Sequence, residues 1–211
     1  MRQIFKAGLG LALMASLGAC AAPNTASRAA MPDDAMLGFA QQDVTIDSFT
    51  VSVPKSLTVN ERNTYYPRGD IVWRGDPIGD RHAQVREIFE AGLRNAAPRI
   101  SGTRPVRMDI QVTRFHALSE KARYSVGGVH DIEFMYRLID VTTGQQIGAT
   151  QTVDADLEAL AGQAAMVADA RGNTQKARIV AHLGSVLVEE LTVAGGHQNA
   201  NLGILQAIND L

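Results

Sequence analysis

The sequence predicts an α+β domain: a mainly antiparallel sheet with two helices packed on one face, in the order β-α-β-β-β-α. Three observations lead there. Residues 106–112 and 132–138 alternate apolar and polar side chains with the period of two that marks a strand with one wet face. Residues 81–97 and 174–193 carry apolar side chains at helical spacing. Stop and turn residues bound these stretches, among them Pro98, Thr142-Thr143-Gly144-Gln145 and Gly195-Gly196.

The first strand is Val44 to Val53, rich in β-branched residues and closed by Pro54. Val44 and Ile46 share one parity, and Phe49, Val51 and Val53 share the other, so a bulge or bend is expected near Asp47-Ser48. Leu57 and Val59, and then Ile71-Val72-Trp73, form short extended pieces among Gly-Asp turns. Asp80 is the N-cap of a helix from Arg81 to about Ala97, with Val85, Ile88, Phe89, Leu93 and Ala96 on one face. Residues 105–117 and 128–140 pair as a hairpin, with Ile110 and Phe134 toward the helices. Ile147 to Leu157 is a further strand, with Ile147, Ala149, Val153, Ala155 and Leu157 on one parity. Asn173 or Thr174 caps the second helix, which ends at about Val193.

The chain begins with a signal of another kind. Arg2 and Lys6 precede a small and apolar run that ends Leu17-Gly18-Ala19-Cys20. A charged start, an apolar middle and small residues at a cut site describe a secretory signal peptide over residues 1–19. The run is too short to span a membrane, which needs about 20 apolar residues. Leu17-Gly18-Ala19-Cys20 resembles the lipobox of bacterial lipoproteins. The resemblance implies a diacylglyceryl group on the Cys20 sulfur, cleavage before Cys20, and a mature chain held to a membrane by lipid. A thiolate is a strong nucleophile for making a thioether, and each buried acyl CH₂ contributes about 0.8 kcal/mol of anchoring. Ala21 stands where an Asp would favour the inner membrane, which implies the periplasm-facing side of the outer membrane.

Processing removes Arg2 and Lys6 and no acid. Of 20 Lys and Arg, 18 remain against 22 Asp and Glu, a formal net charge of −4. This mild acidity, with no basic run, excludes nucleic acid as a partner. Cys20 is the single cysteine, so no disulfide forms within the chain. Residues 20–42 are the lipid anchor and an Ala-, Pro-, Ser- and Thr-rich tether, a coil spanning about 26 Å. Residues 43–194 are one domain, long enough to bury a sizeable core. Residues 195–211 are a tail in which Leu202, Leu205 and Ile208 recur every third position, overlapped by Ile204 and Leu211. A helix this short is not stable alone and must dock on its own domain, a partner or the membrane surface.

The element order and the anchor are similar to small envelope lipoproteins that serve as accessory subunits of lipid or lipopolysaccharide transport machines. The segments Tyr-Tyr-Pro-Arg-Gly-Asp-Ile-Val-Trp-Arg-Gly-Asp-Pro (65–77) and Gly-Gly-Val-His-Asp-Ile-Glu-Phe (127–134) resemble an uncharacterised Gram-negative lipoprotein family of unknown function. That resemblance implies an envelope location and carries no activity or catalytic residue with it.

Motifs for reaction chemistry are sparse. His82, His116, His130, His182 and His197 include no pair at i, i+4, and there is no paired-Cys or H-E-x-x-H pattern, so no metal site is expected. His130 and Asp131 point to opposite faces of a strand. There is no G-x-S-x-G around Ser125 or Ser185. Asp154/Asp156 and Glu189/Glu190 read as solvated faces. Arg68-Gly69-Asp70 and Arg74-Gly75-Asp76 read as two turns flanking a short strand.

The aromatic segment is more informative. Tyr65, Tyr66 and Trp73 fall within nine positions, beside Arg68 and Arg74. Interface anchors are enriched in Trp, Tyr and Arg, and turn-rich connections lie at the surface. Tyr65, Tyr66, Arg68, Trp73 and Arg74 are therefore the candidate partner-binding residues; the competing reading is that the aromatics roof the core. The expected function is a non-enzymatic, cofactor-free, lipid-anchored periplasmic module that binds an envelope protein or lipid in envelope assembly or transport. A periplasmic enzyme with a site assembled from scattered residues, and a purely structural lipoprotein, are the alternatives.

Overall fold

The computed structural model describes residues 43–202. The signal peptide, Cys20, the tether, and Ile204, Leu205, Ile208 and Leu211 of the tail lie outside the described residues. The elements in chain order are β1 (Val44–Ser52), β2 (Ile71–Val72), α1 (Arg81–Ala96), β3 (Arg104–His116), α2 (Glu120–Arg123), β4 (Val129–Asp140), β5 (Gln146–Asp154), β6 (Leu157–Glu158), α3 (Gly162–Ala170) and α4 (Gln175–Thr192).

The long strands pair in the order β1-β3-β4-β5. β3–β4 and β4–β5 are antiparallel, with the expected hairpin in register Ile110↔Tyr136 and Val112↔Phe134. β1, however, runs parallel to β3, from Val44↔Arg104 to Ser52↔Gln111. The sheet is mixed, not purely antiparallel: β3–β4, β4–β5 and β4–β6 are antiparallel, and β1 and β2 run parallel to β3. The physical reason is the connection: helix α1 carries the chain back across the sheet, so β3 starts at the same end as β1. β2 adds a second parallel contact at the far end of β3, Ile71↔Phe115 and Val72↔His116. β6 pairs with the start of β4.

The core lies between the sheet and the pair α1 and α4. Val106, Met108, Ile110 and Val112 of β3 and Ile132, Phe134, Tyr136 and Leu138 of β4 are buried there with Ile88, Phe89, Leu93, Leu183 and Leu187 of the helices. Asp80 caps α1 by accepting from the Ala83 N–H, and Thr174 caps α4 by accepting from Ala177. Gly92 sets the helix spacing: a Cβ there would meet the Leu183 Cβ at 3.0 Å.

Register shifts modify the alternation. One falls between Ile46 and Ser48, as the parity change in β1 predicts. Another, between Val112 and Arg114, returns Phe115 to the core. A third, between Tyr136 and Leu138, lies opposite Gly148 and turns Ala149 outward, against the single parity expected for that strand. There are also two more helices than expected, α2 and α3. Helix α3 has no side-chain cap, so its sequence lacks the usual start signal.

The Gly195-Gly196 break turns the chain back instead of releasing it. The His197 N–H donates to Glu190 Oε2 (2.8 Å), and its ring Nδ1 donates to Glu189 Oε2 (2.7 Å). Asn199 accepts from the Asp156 N–H and donates to its carboxylate. Asp156 is thus buried and paired, and Glu190 accepts from the Tyr136 hydroxyl (3.0 Å). Neither belongs to the solvated faces expected of these acids.

Candidate functional site

The connection from β1 to α1, residues 53–80, carries the candidate residues and is stapled along its length. Asp70 accepts from both the N–H and the hydroxyl of Thr58, and the backbone bond holds its carboxyl below the usual range. Arg81, buried at the start of α1, donates to both carboxylate oxygens of Glu61 (2.7 and 3.0 Å) and to the carbonyls of Asp76 and Pro77. The Arg81 hydrogen bond lowers the Glu61 pKa. Arg74 donates to Glu120 (2.9 Å) and to the Glu61 carbonyl (2.8 Å). Irregular backbone held at so many points is a fixed surface.

Trp73 is 0 % exposed. Its ring meets Phe115 edge-on at 5.7 Å and folds over Gly75, where an added Cβ would lie 2.3 Å from the indole. Its Nε1 donates to Asp76 (2.8 Å), which Lys176 of α4 holds at 2.9 Å. Trp73 is therefore part of the core and reaches no partner. Arg74 is committed to ion pairs with Glu61 and Glu120. Of the five candidates the structure leaves Tyr65, Tyr66 and Arg68 at the surface. Arg74-Gly75-Asp76 is a structural clamp, and Asp70 of the other Arg-Gly-Asp fixes a turn.

Tyr65 and Tyr66 are 42 % and 59 % exposed. They form one wall of a cleft of about 120 Å³ whose other sides are Pro67, His116, Leu118 and Val126-Gly127-Gly128. The segments 65–77 and 127–134, far apart in sequence, meet here. Lys121 stands 4.4 Å above the Tyr65 ring. His116 lies at the end of β3 and is buried. Its Nε2 donates to the Pro67 carbonyl (2.7 Å), so Nδ1 keeps its lone pair, and Nδ1 has no partner. Burial lowers the His116 pKa and keeps the ring neutral. Sequence reasoning missed His116 because nothing in its neighbours marks it.

A second, polar cleft of about 410 Å³ opens between α2, α3 and the start of α4. Its charges pair with one another: Arg123 with Asp169 (2.5 Å), Arg74 with Glu120, and Lys176 with Asp76. The Tyr124 hydroxyl donates to Asp169 (3.0 Å). Nearby hydroxyls cap backbone, Ser119 donating to the Thr64 carbonyl and Ser125 to that of Lys121. His130 is wholly buried, and desolvation pushes its pKa down to about 3. Among the described residues no group of three or more His, Cys, Asp or Glu side chains could hold a metal ion. No helix among them is long and apolar enough to cross a membrane.

A family model matches residues 44–207. The chain belongs to the family of unknown function DUF6778. The matched span runs past Gly195-Gly196, as does the folded structure. No curated protein matches the chain. Among solved structures, the chain is similar to protein XCC0632 of Xanthomonas campestris, of family DUF330, at 12 % identity and a TM-score of 0.35, covering 74 % of this chain and 83 % of that one. It is similar to a "putative lipoprotein" of Caulobacter crescentus CB15 at 15 % identity and a TM-score of 0.30, covering 55 % and 83 %. It is also similar to the PelC dodecamer of Paraburkholderia phytofirmans at 15 % identity and a TM-score of 0.26, covering 70 % and 89 %. None of these scores assigns a common fold.

Proposed function

We propose that the protein is a lipid-anchored, periplasm-facing lipoprotein of the outer membrane, and that it works without catalysis by binding another envelope component in assembly or transport. The observation that carries this reading is the pairing of a lipobox, Leu17-Gly18-Ala19-Cys20, with a rigid domain that presents two exposed tyrosines on a stapled loop. Aromatic side chains with polar tips on a fixed surface lose little freedom on binding and contribute large contact areas. Tyr65, Tyr66 and Arg68 are the residues assigned to the contact.

Two experiments test it. Replacing Cys20 by Ser should leave an uncut, unlipidated precursor; normal cutting without acylation would overturn the anchor. A photo-reactive benzoylphenylalanine in place of Tyr66 should give a discrete adduct with one envelope component in intact cells. The same group in place of Val141, exposed beside the opposite end of β3, should not. Identical labelling from both positions, or none from position 66, would refute a specific contact there.

A further inference from the structure

The cleft beside Tyr65 and Tyr66 also restricts what enters it, and this inference rests on the reading above that the face binds a partner. We propose that the partner is a protein that presents a tyrosine flanked by acidic residues. Its ring occupies the cleft, and its carboxylates lie against Arg68 and Lys121.

Size favours a ring. The cleft offers about 120 Å³, and a cavity of about 150 Å³ takes one benzene. The walls are mostly apolar, and the one buried side-chain polar atom in them that lacks a bond is His116 Nδ1, which accepts and cannot donate. A phenol supplies both the apolar ring and the donor. Charge favours acidic flanks. Arg68, which follows Pro67 of the wall, and Lys121, over the Tyr65 ring, are exposed and have no acidic partner among the described residues. The nearby acids are taken: Glu61 by Arg81 and Glu120 by Arg74.

Position favours a protein over the headgroups of the membrane that holds the chain. The chain enters the domain at Val44, which pairs with Arg104 at the start of β3. His116 ends that strand, about 40 Å away at 3.3 Å per residue. An attachment at Cys20 therefore joins the domain at the end of the β1–β3 pair opposite the cleft.

The test uses the full chain in detergent micelles and the fluorescent peptide acetyl-Asp-Glu-Tyr-Asp-Glu-amide, read by anisotropy. The peptide should bind. Replacing its Tyr by Ala, or its acids by Lys, should weaken binding at least about tenfold. Replacing its Tyr by Phe should weaken binding about fivefold through the lost hydrogen bond. On the protein, Val126→Trp at the exposed rim should block the cleft, and Arg68→Glu with Lys121→Glu should repel the peptide. These side chains are exposed, so both variants should melt like the parent. Equal binding of the Ala, Phe or Lys peptides would overturn the proposal. So would binding to phosphatidylglycerol vesicles in place of the peptide, or self-association abolished by Val126→Trp. Adducts from position 66 together with no peptide binding would sink the tyrosine anchor alone; loss of the adducts would sink the binding face itself.

Discussion

Trp73 separates a core from an interface, and its replacement is the sharpest test of the structure. Trp73→Ala removes a fully buried indole that packs edge-on against Phe115 and lies over Gly75. Truncating a buried Trp to Ala costs about 3–5 kcal/mol. In a domain of about 160 residues, each kcal/mol moves the melting temperature by about 2–4 °C, so a fall of roughly 12 °C is expected. Trp73→Phe keeps a ring against Phe115 and loses the N–H bond to Asp76. That bond goes to a charged acceptor, worth about 1.5–3 kcal/mol, but Asp76 keeps Lys176. The Phe variant should therefore melt between the parent and the Ala variant. Circular dichroism melting measures the series, and adduct yield from position 66 measures the surface at temperatures where each variant is folded. If Trp73→Ala melted within 2 °C or so of the parent while adducts disappeared, the indole would be an interface anchor after all, and the packing described for it would be wrong.

His130 makes stability depend on pH. The unfolded ring takes a proton below about 6.5, and the folded one only below about 3. Stability is thus complete above pH 6.5 and falls on acidification by about 1.4 kcal/mol per pH unit, reaching roughly 2.7 kcal/mol at pH 4.5. Urea unfolding of His130→Leu should show one proton less of slope between pH 6.5 and 4.5, and an unchanged slope would refute the burial. Truncation after Gly196 removes both Asn199 bonds to the buried Asp156 and should cost about 1–3 kcal/mol; a truncated chain as stable as the whole would show that the tail contributes nothing. Ile110→Asp places an unpaired charge between sheet and helices and should cost several kcal/mol, whereas parent-like melting would put Ile110 on the wet face.

Much of this fold is legible in the chain, and the failures have identifiable causes. Alternation in 106–112 and 132–138 tells which face is wet, and that face is where the structure puts it. Alternation does not tell strand direction, so the parallel course of β1 is not legible from it. The β1-α1-β3 order itself contains the signal, since a helix between two strands is the usual bridge of a parallel pair. The single parity expected for Ile147–Leu157 breaks at Ala149, beside Gly148 with φ of +66°, where two extra residues enter the ladder and leave Ile147, Val153 and Ala155 on the buried parity. At the site, turn residues around Trp73 read as surface because loop backbone is surface. The side chain nevertheless points inward, because Ile71-Val72-Trp73 runs beside the buried end of β3. His116 was invisible because its role depends on Pro67, which only the fold brings near.

The parallel pairing of β1 with β3 has a mechanical consequence. With the anchoring and binding proposed above, a pull on the protein would act at Val44 on one strand and near His116 on the other. These are opposite ends of a parallel ladder whose eight registered pairs run from Val44↔Arg104 to Ser52↔Gln111. Such a pull shears the ladder, so its hydrogen bonds resist together instead of opening one at a time. An antiparallel β1 would have put the two points at one end and let the strand peel. Forced unfolding is governed by the height of that barrier, so the order of strands in this sheet suits the domain to the link proposed for it between a membrane and a partner.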